Sequence, residues 1–192
     1  FYRALKPGGL LSISRWYDPK EYSGEFYRLV AIAAEALQRH GVAPAELGRH
    51  VIAVTGGPIV TVITRPDALT DAEWQGAKAR LSAQGFKVIL GPDVAFDGVT
   101  ATLLSGKADA SFFAALPDNV TPSTDDSPFF FFTQRLSKFI TQPTDAATNN
   151  NVAISMVLLM AAVALAACAY YIVLPFVQLA RRMPLATLTL IL

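Results

Sequence analysis

Two stretches of this chain carry side chains that can do chemistry. Asp125 and Asp126 are its only adjacent carboxylates. Such a pair can attract a cationic amine, or like-charge repulsion can raise one carboxyl toward the range of a general base. The plainer reading is a turn before Pro128, in which the oxygens of Thr124 and Asp125 accept backbone N–H groups. The second stretch, Ser14, Arg15, Trp16 and Tyr17, offers a hydroxyl, a guanidinium and two aromatics with polar tips. An arginine there suits an anionic or phosphorylated group; its simpler role is to pair with a surface carboxylate such as Asp18 while Trp16 packs an edge. His40 and His50 have no ligand-type neighbours at useful spacing, and Cys168 stands alone, so no metal site is expected.

The elements that would position these residues follow from the local pattern. Phe1 to Leu5 reads as the last turn of a helix, stopped by Pro7 and by the Gly8-Gly9 pair. Leu10–Ser14 reads as a strand covered on both faces, because its apolar residues are separated only by small serines. Ser14 to Tyr17, following Leu10–Ile13, would then lie at the rim of its carboxyl end, where open α/β sheets gather ligands. Ser23 can cap a helix over 24–40 whose apolar stripe is Phe26, Leu29, Val30, Ala33 and Leu37, with Gly41 ending it. Residues 51–64 form two β-branched runs around Gly56-Gly57, a hairpin pattern. Thr70 and Glu73 make a capping box for a helix that Gly85 closes. Residues 86–90 read as a short strand, 91–107 as loop and 108–116 as a short helix. The aromatic run that ends at Phe132 suits either a membrane interface or a buried strand, and the pattern leaves both open.

Hydrophobic residues make up 53% of the 192, and much of that excess is concentrated in one place. Val152 to Leu174 contains no charged residue. As a helix it would be about 35 Å long, enough for a hydrocarbon core of about 30 Å. All 15 acidic residues precede it, with 14 of the 16 basic ones, so the polar part is close to neutral. Nothing in that balance suggests nucleic acid as a partner. The expected organisation is a domain over 1–136, a linker over 137–151, a transmembrane helix over 152–178 and the start of a second over 185–192. Both ends read as cut, so the N-terminal half of the domain is expected elsewhere in a longer protein.

The order of helix end, glycine turn, apolar strand, amphipathic helix and antiparallel hairpin resembles the C-terminal part of the Rossmann-like methyltransferase fold. Leu5-Lys6-Pro7-Gly8-Gly9 matches its lead into the fifth strand. A closer resemblance is to spermidine-synthase-like polytopic membrane proteins of bacteria, carried by "GGLLSISRW" (8–16) and "TDDSPFFF" (124–131) ahead of a membrane helix.

The resemblance implies an α/β fold that closes with an antiparallel hairpin and continues into a transmembrane α-helix. It implies transfer of an aminopropyl or methyl group from decarboxylated S-adenosylmethionine or S-adenosylmethionine to a small-molecule acceptor such as an amine. The alternative is a catalytically inactive domain of a transporter-like membrane protein. Ser14, Arg15, Trp16 and Tyr17, with Asp125 and Asp126, are the candidate acceptor-binding residues. The family's glycine-rich loop, its ribose-binding acid and its catalytic aspartate belong to the preceding part, so no catalytic or cofactor-binding residue is expected here. Arg15 departs from the polar or acidic groups that a polyamine would call for. The resemblance also implies a bacterial inner membrane with the domain on the cytoplasmic side. Arg181 and Arg182 then fall outside, against the positive-inside preference, which Arg135 and Lys138 partly offset.

Overall fold

The computed structural model describes residues 2–17, 23–94, 97–128, 130–133, 135 and 149–182, without the side chains of 149–154 and 180–182. The chain divides into two compact units, Phe1–Arg135 and Leu136–Leu192. Asp18, most of the linker and the stretch from Leu185 onward lie outside the described residues.

The first unit is mixed α/β. Its strands are β1 (Leu11–Trp16), β2 (Val51–Gly56), β3 (Ile59–Thr64) and β4 (Lys87–Leu90). Its helices are α1 (Gly24–Arg39), α2 (Asp71–Ala83), α3 (Gly98–Leu104) and α4 (Ala110–Ala115). The sheet has the order β1-β3-β2-β4, and every neighbouring pair is antiparallel. Because β1 and β2 both run opposite to β3, they run parallel to each other. α1 connects them, and the chain then doubles back to place β3 in the gap. The hairpin turn is tight: Gly56 pairs with Ile59, and Gly57 has φ +65°. Pro58 cannot take a positive φ, so this is a II′ turn rather than I′.

The two faces of the sheet are covered unequally. On one face Val51, Ala53, Val60 and Val62 pack against Phe26, Val30 and Leu37 of α1 and against Leu103 of α3. On the other, Ile52 and Val54 meet Trp74 of α2 and Leu69. α2 starts as its capping box requires: Thr70 Oγ1 accepts the Glu73 N–H, and Glu73 returns to the Thr70 N–H. Gly91 is fixed by packing, since a Cβ there would run into the Trp74 ring. Tyr2 ties the entry turn to the sheet, its hydroxyl 2.7 Å from Thr64 Oγ1.

Four expectations need correction. β1 is covered on one face only; its exposure alternates residue by residue, because α1 lies on one side and α2 sits over β2 and β4. The strand also runs to Trp16, so Ser14, Arg15 and Trp16 are ladder residues and only Tyr17 lies beyond. Residues 91–107, read as loop, contain α3, which Asp97 caps by accepting the Thr100 N–H at 2.7 Å. Ser23, the expected cap of α1, makes no side-chain capping bond.

In the second unit, α5 (Asn149–Cys168) runs through a π-helical turn (Ala169–Val173) into α6 (Leu174–Arg182). The Leu174 N–H bonds to the Ala169 carbonyl, five residues back. Pro175 explains the widening: its ring would clash with the carbonyl of Tyr171 and it has no N–H to donate. Ser155–Leu179 is long and apolar enough to cross a membrane, and nothing in the described structure buries it.

Candidate functional site

The candidate site is built at the carboxyl end of β1. Strand alternation sends Leu11, Ile13 and Arg15 to the face that α1 covers, and Ser12, Ser14 and Trp16 to the other. Ser14 Oγ lies 2.9 Å from Thr61 Oγ1 across the ladder, so the hydroxyl is occupied by its cross-strand partner. Trp16 is 72% exposed. Tyr17 prolongs the pairing, its N–H reaching the Pro58 carbonyl at 2.9 Å, and its ring stands edge-on to Phe26 with centroids 5.6 Å apart. The four residues therefore share a strand end but divide between its faces, Ser14 and Trp16 on one and Arg15 and Tyr17 on the α1 side.

Arg15 meets aromatic rings. Its guanidinium lies 4.9 Å from the centroid of Phe130 and 5.4 Å from that of Phe131. Nη1 donates to the Ser14 carbonyl at 2.7 Å. Stacking on a ring face suits the weakly hydrated, planar guanidinium.

α1 brings a second charged layer to this end. Arg28 falls about 200° around the helix from Phe26, on the side away from the apolar stripe, yet it is only 3% exposed. Backbone around Asn119 and over 130–133 covers it. Arg28 Nη1 donates to the carbonyls of Phe130 (2.6 Å) and Phe132 (3.1 Å), and Nη2 donates to that of Asn119. The Asn119 N–H closes the same segment on the Thr133 carbonyl at 2.6 Å. Gly24 lets this segment approach, since a Cβ there would stand 2.7 Å from Asp118 Oδ2. Burial draws the Arg28 pKa down, with Asp118 and Glu25 opposing. Burial likewise raises Glu25, against the pull of Arg15 and Arg28.

Beside them, the Tyr27 hydroxyl donates to Asp97 Oδ2 at 3.0 Å. Its pKa is pushed up to about 12, first by burial and then by the Asp97 charge, its hydrogen bond and Tyr17. Asp97 Oδ1 accepts both the N–H and the hydroxyl of Thr100, so both of its oxygens are engaged.

Asp125 and Asp126 sit apart from this constellation, at the exposed tip of a turn closed by the paired backbone bonds of Thr124 and Ser127, 3.3 and 3.0 Å. A turn stands where the sequence suggests one, closed by backbone bonds rather than by the Thr124 and Asp125 side-chain oxygens expected there. Glu25, Tyr27, Arg28 and Asp97 were not picked out by sequence reasoning. The signal available for Arg28 is a run of small residues on its own side of α1, Gly24 and Ala31, which allows a second layer to pack there.

The positive-φ glycines end helices or make turns, and none belongs to a G-x-G-x-x-G run. A cavity of about 200 Å³ between α1 and α3 is smaller than the roughly 300–1,000 Å³ of ligand pockets. Its one carboxylate, Glu35, is paired with Arg39. Among the described residues no His, Cys, Asp and Glu cluster could hold a metal ion. Compared with known proteins, the chain matches no family model, no curated protein and no solved structure.

Proposed function

We propose that this chain is the closing portion of a membrane-bound, spermidine-synthase-like transferase that moves an aminopropyl or methyl group to a small-molecule acceptor, with its α/β unit in the cytoplasm. One observation carries the reading. β1 and β2 run parallel, α1 joins them, and the hairpin inserts β3 between them. A Rossmann-like sheet that ends in an antiparallel pair requires that arrangement. The apolar helix that follows the unit supports the membrane part of the proposal.

Within this reading the chain's contribution is positional. S-adenosylmethionine or its decarboxylated form would supply the transferable group, and it would be gripped by residues outside those described. Arg15, Tyr17 and Tyr27 form one wall at the carboxyl end of β1. Phe130 and Phe131 hold the Arg15 guanidinium, so it serves as a fixed cation toward an anionic acceptor. Holding an acceptor in line is worth more to such a transfer than any proton movement this wall can perform.

A second reading, a non-catalytic domain of a transporter-like membrane protein, has its own support. Among the described residues, Asp97 has both oxygens engaged, Glu25 faces the charges of Arg15 and Arg28, and Asp125 and Asp126 lie at a solvent-exposed tip, an arrangement that does not favour a cationic amine at this wall. Calorimetric titration of the full-length protein with S-adenosylmethionine and with the decarboxylated form separates the two readings. Saturable heat with either supports the transferase. Absence of binding to both leaves the non-catalytic domain.

A further inference from the structure

The aromatic run before the linker has two sides. Phe130 is turned inward, half-buried against the core that α1 shares with the sheet, and Arg15 covers its ring. Phe131 and Phe132 are 61% and 51% exposed. Their exposure is built in. Arg28, itself buried, grips the carbonyls on either side of Phe131, and the Thr133 N–H reaches the Phe131 carbonyl at 3.2 Å. A backbone pinned at these points cannot rotate the two rings into the core without breaking charge-assisted bonds. Large exposed aromatics held this way mark a surface that something covers.

We propose that the rings of Phe131 and Phe132 dock the α/β unit on the bilayer, at the boundary between lipid headgroups and acyl chains. The proposal rests on reading Ser155–Leu179 as a membrane span. The chain itself favours lipid over other occupants. It leaves the α/β unit at Arg135, three residues after Phe132, and reaches the apolar helix at Asn149. Fourteen Cα steps cannot exceed about 50 Å. The end of the unit that carries the two rings is therefore the tethered end, kept within reach of the interface. Aromatic rings partition to that layer. The Arg15 guanidinium, 5.4 Å from the Phe131 centroid, adds a cation at the same place for anionic headgroups.

The test uses spin labels on the full chain, reconstituted in vesicles of phosphatidylcholine and phosphatidylglycerol, with the native cysteine removed as Cys168→Ala. Three single-cysteine variants carry the label: Phe132→Cys, which keeps Phe131; Leu165→Cys, within the apolar helix; and Ser82→Cys, exposed on α2. Accessibility to oxygen, which dissolves in lipid, is compared with accessibility to a water-soluble nickel chelate. The expected result is a lipid signature at 165 and at 132, with nickel accessibility at 132 lower by about fivefold than at 82. A lipid signature at 165 with a water signature at 132 overturns docking and leaves the span intact. Low accessibility to both probes at 132 shows protein covering the rings, a second copy or another segment, and also overturns it. A water signature at 165 removes the span and the docking proposal with it.

Discussion

α1 and the helix over Ser155–Leu179 draw on the same apolar residue types and put them to opposite uses. In α1 most large apolar residues, Phe26, Leu29, Val30 and Leu37, keep to one stripe, which the sheet buries. The one charge drawn into the interior, Arg28, is caged by carbonyls. In the longer helix they occupy every side, and every described residue of the span is exposed. A stripe tells of a partner on one side, whereas an all-round apolar surface tells of an apolar solvent. The difference lies in pattern rather than composition.

The largest expected effect breaks the comparison from the lipid side. Each aspartate placed mid-span costs about 3 kcal/mol of insertion. The double variant Leu159→Asp, Leu165→Asp should therefore move the chain from the carbonate-resistant membrane pellet into the soluble extract. A double variant that stayed in the pellet would show that this helix is held by something other than lipid.

Truncation to alanine sharpens the contrast. Leu37 is fully buried in α1, and Leu37→Ala should destabilise the α/β unit by about 2–5 kcal/mol, read from urea unfolding followed by the fluorescence of buried Trp74. Leu165→Ala should leave that transition unmoved, since it only exchanges one apolar surface for another against lipid.

Arg28→Met comes next. It keeps the bulk of the side chain and strands three carbonyls that Arg28 now satisfies, at a cost on the order of 3 kcal/mol. Amide exchange at Asn119 and Thr133 should accelerate well beyond that of β2. Equal acceleration everywhere would mean that Arg28 supports the whole unit rather than the covering segment.

The smallest effect concerns the N-terminus of α2. The Thr70 N–H foremost, with Arg65 and the Thr70 hydroxyl, holds the Glu73 carboxyl at about 2, below its ordinary 4.5. A depressed folded-state pKa means that this contribution to stability is complete above the unfolded value and is lost as pH falls from about 5 to 2. Titration of the Glu73 carboxyl by NMR should show a midpoint near 2, and Thr70→Ala should raise it.

Much of the fold was legible because it is written in short-range pattern. The Thr70–Glu73 box, the stripe of α1, the Val51–Thr64 hairpin and the long apolar run each depend on residues a few positions apart. What escaped depends on distant parts of the chain. Arg28 reads as an ordinary surface arginine until the segment near Asn119 folds over it. α3 is short and weakly patterned, and Asp97 serves it and Tyr27 at once. The end of β1 was placed two residues early because Arg15 and Trp16 look like loop chemistry, while the ladder with Val60 and Ile59 keeps them in strand. The aromatic run stayed ambiguous because its rings divide between core and surface, a division fixed by Arg28 and Arg15 rather than by the run itself.

The central claim is that the apolar helix lies in lipid, and Cys168 tests it without any mutation. It is the chain's only cysteine, it lies near the middle of Ser155–Leu179, and its side chain is exposed. In intact membranes a charged, membrane-impermeant maleimide should leave Cys168 unlabelled, because a charged reagent does not enter the hydrocarbon in which this account places the thiol. Unfolding in detergent should then label it fully. Rapid labelling in intact membranes would place that face of the helix in water and contradict the account.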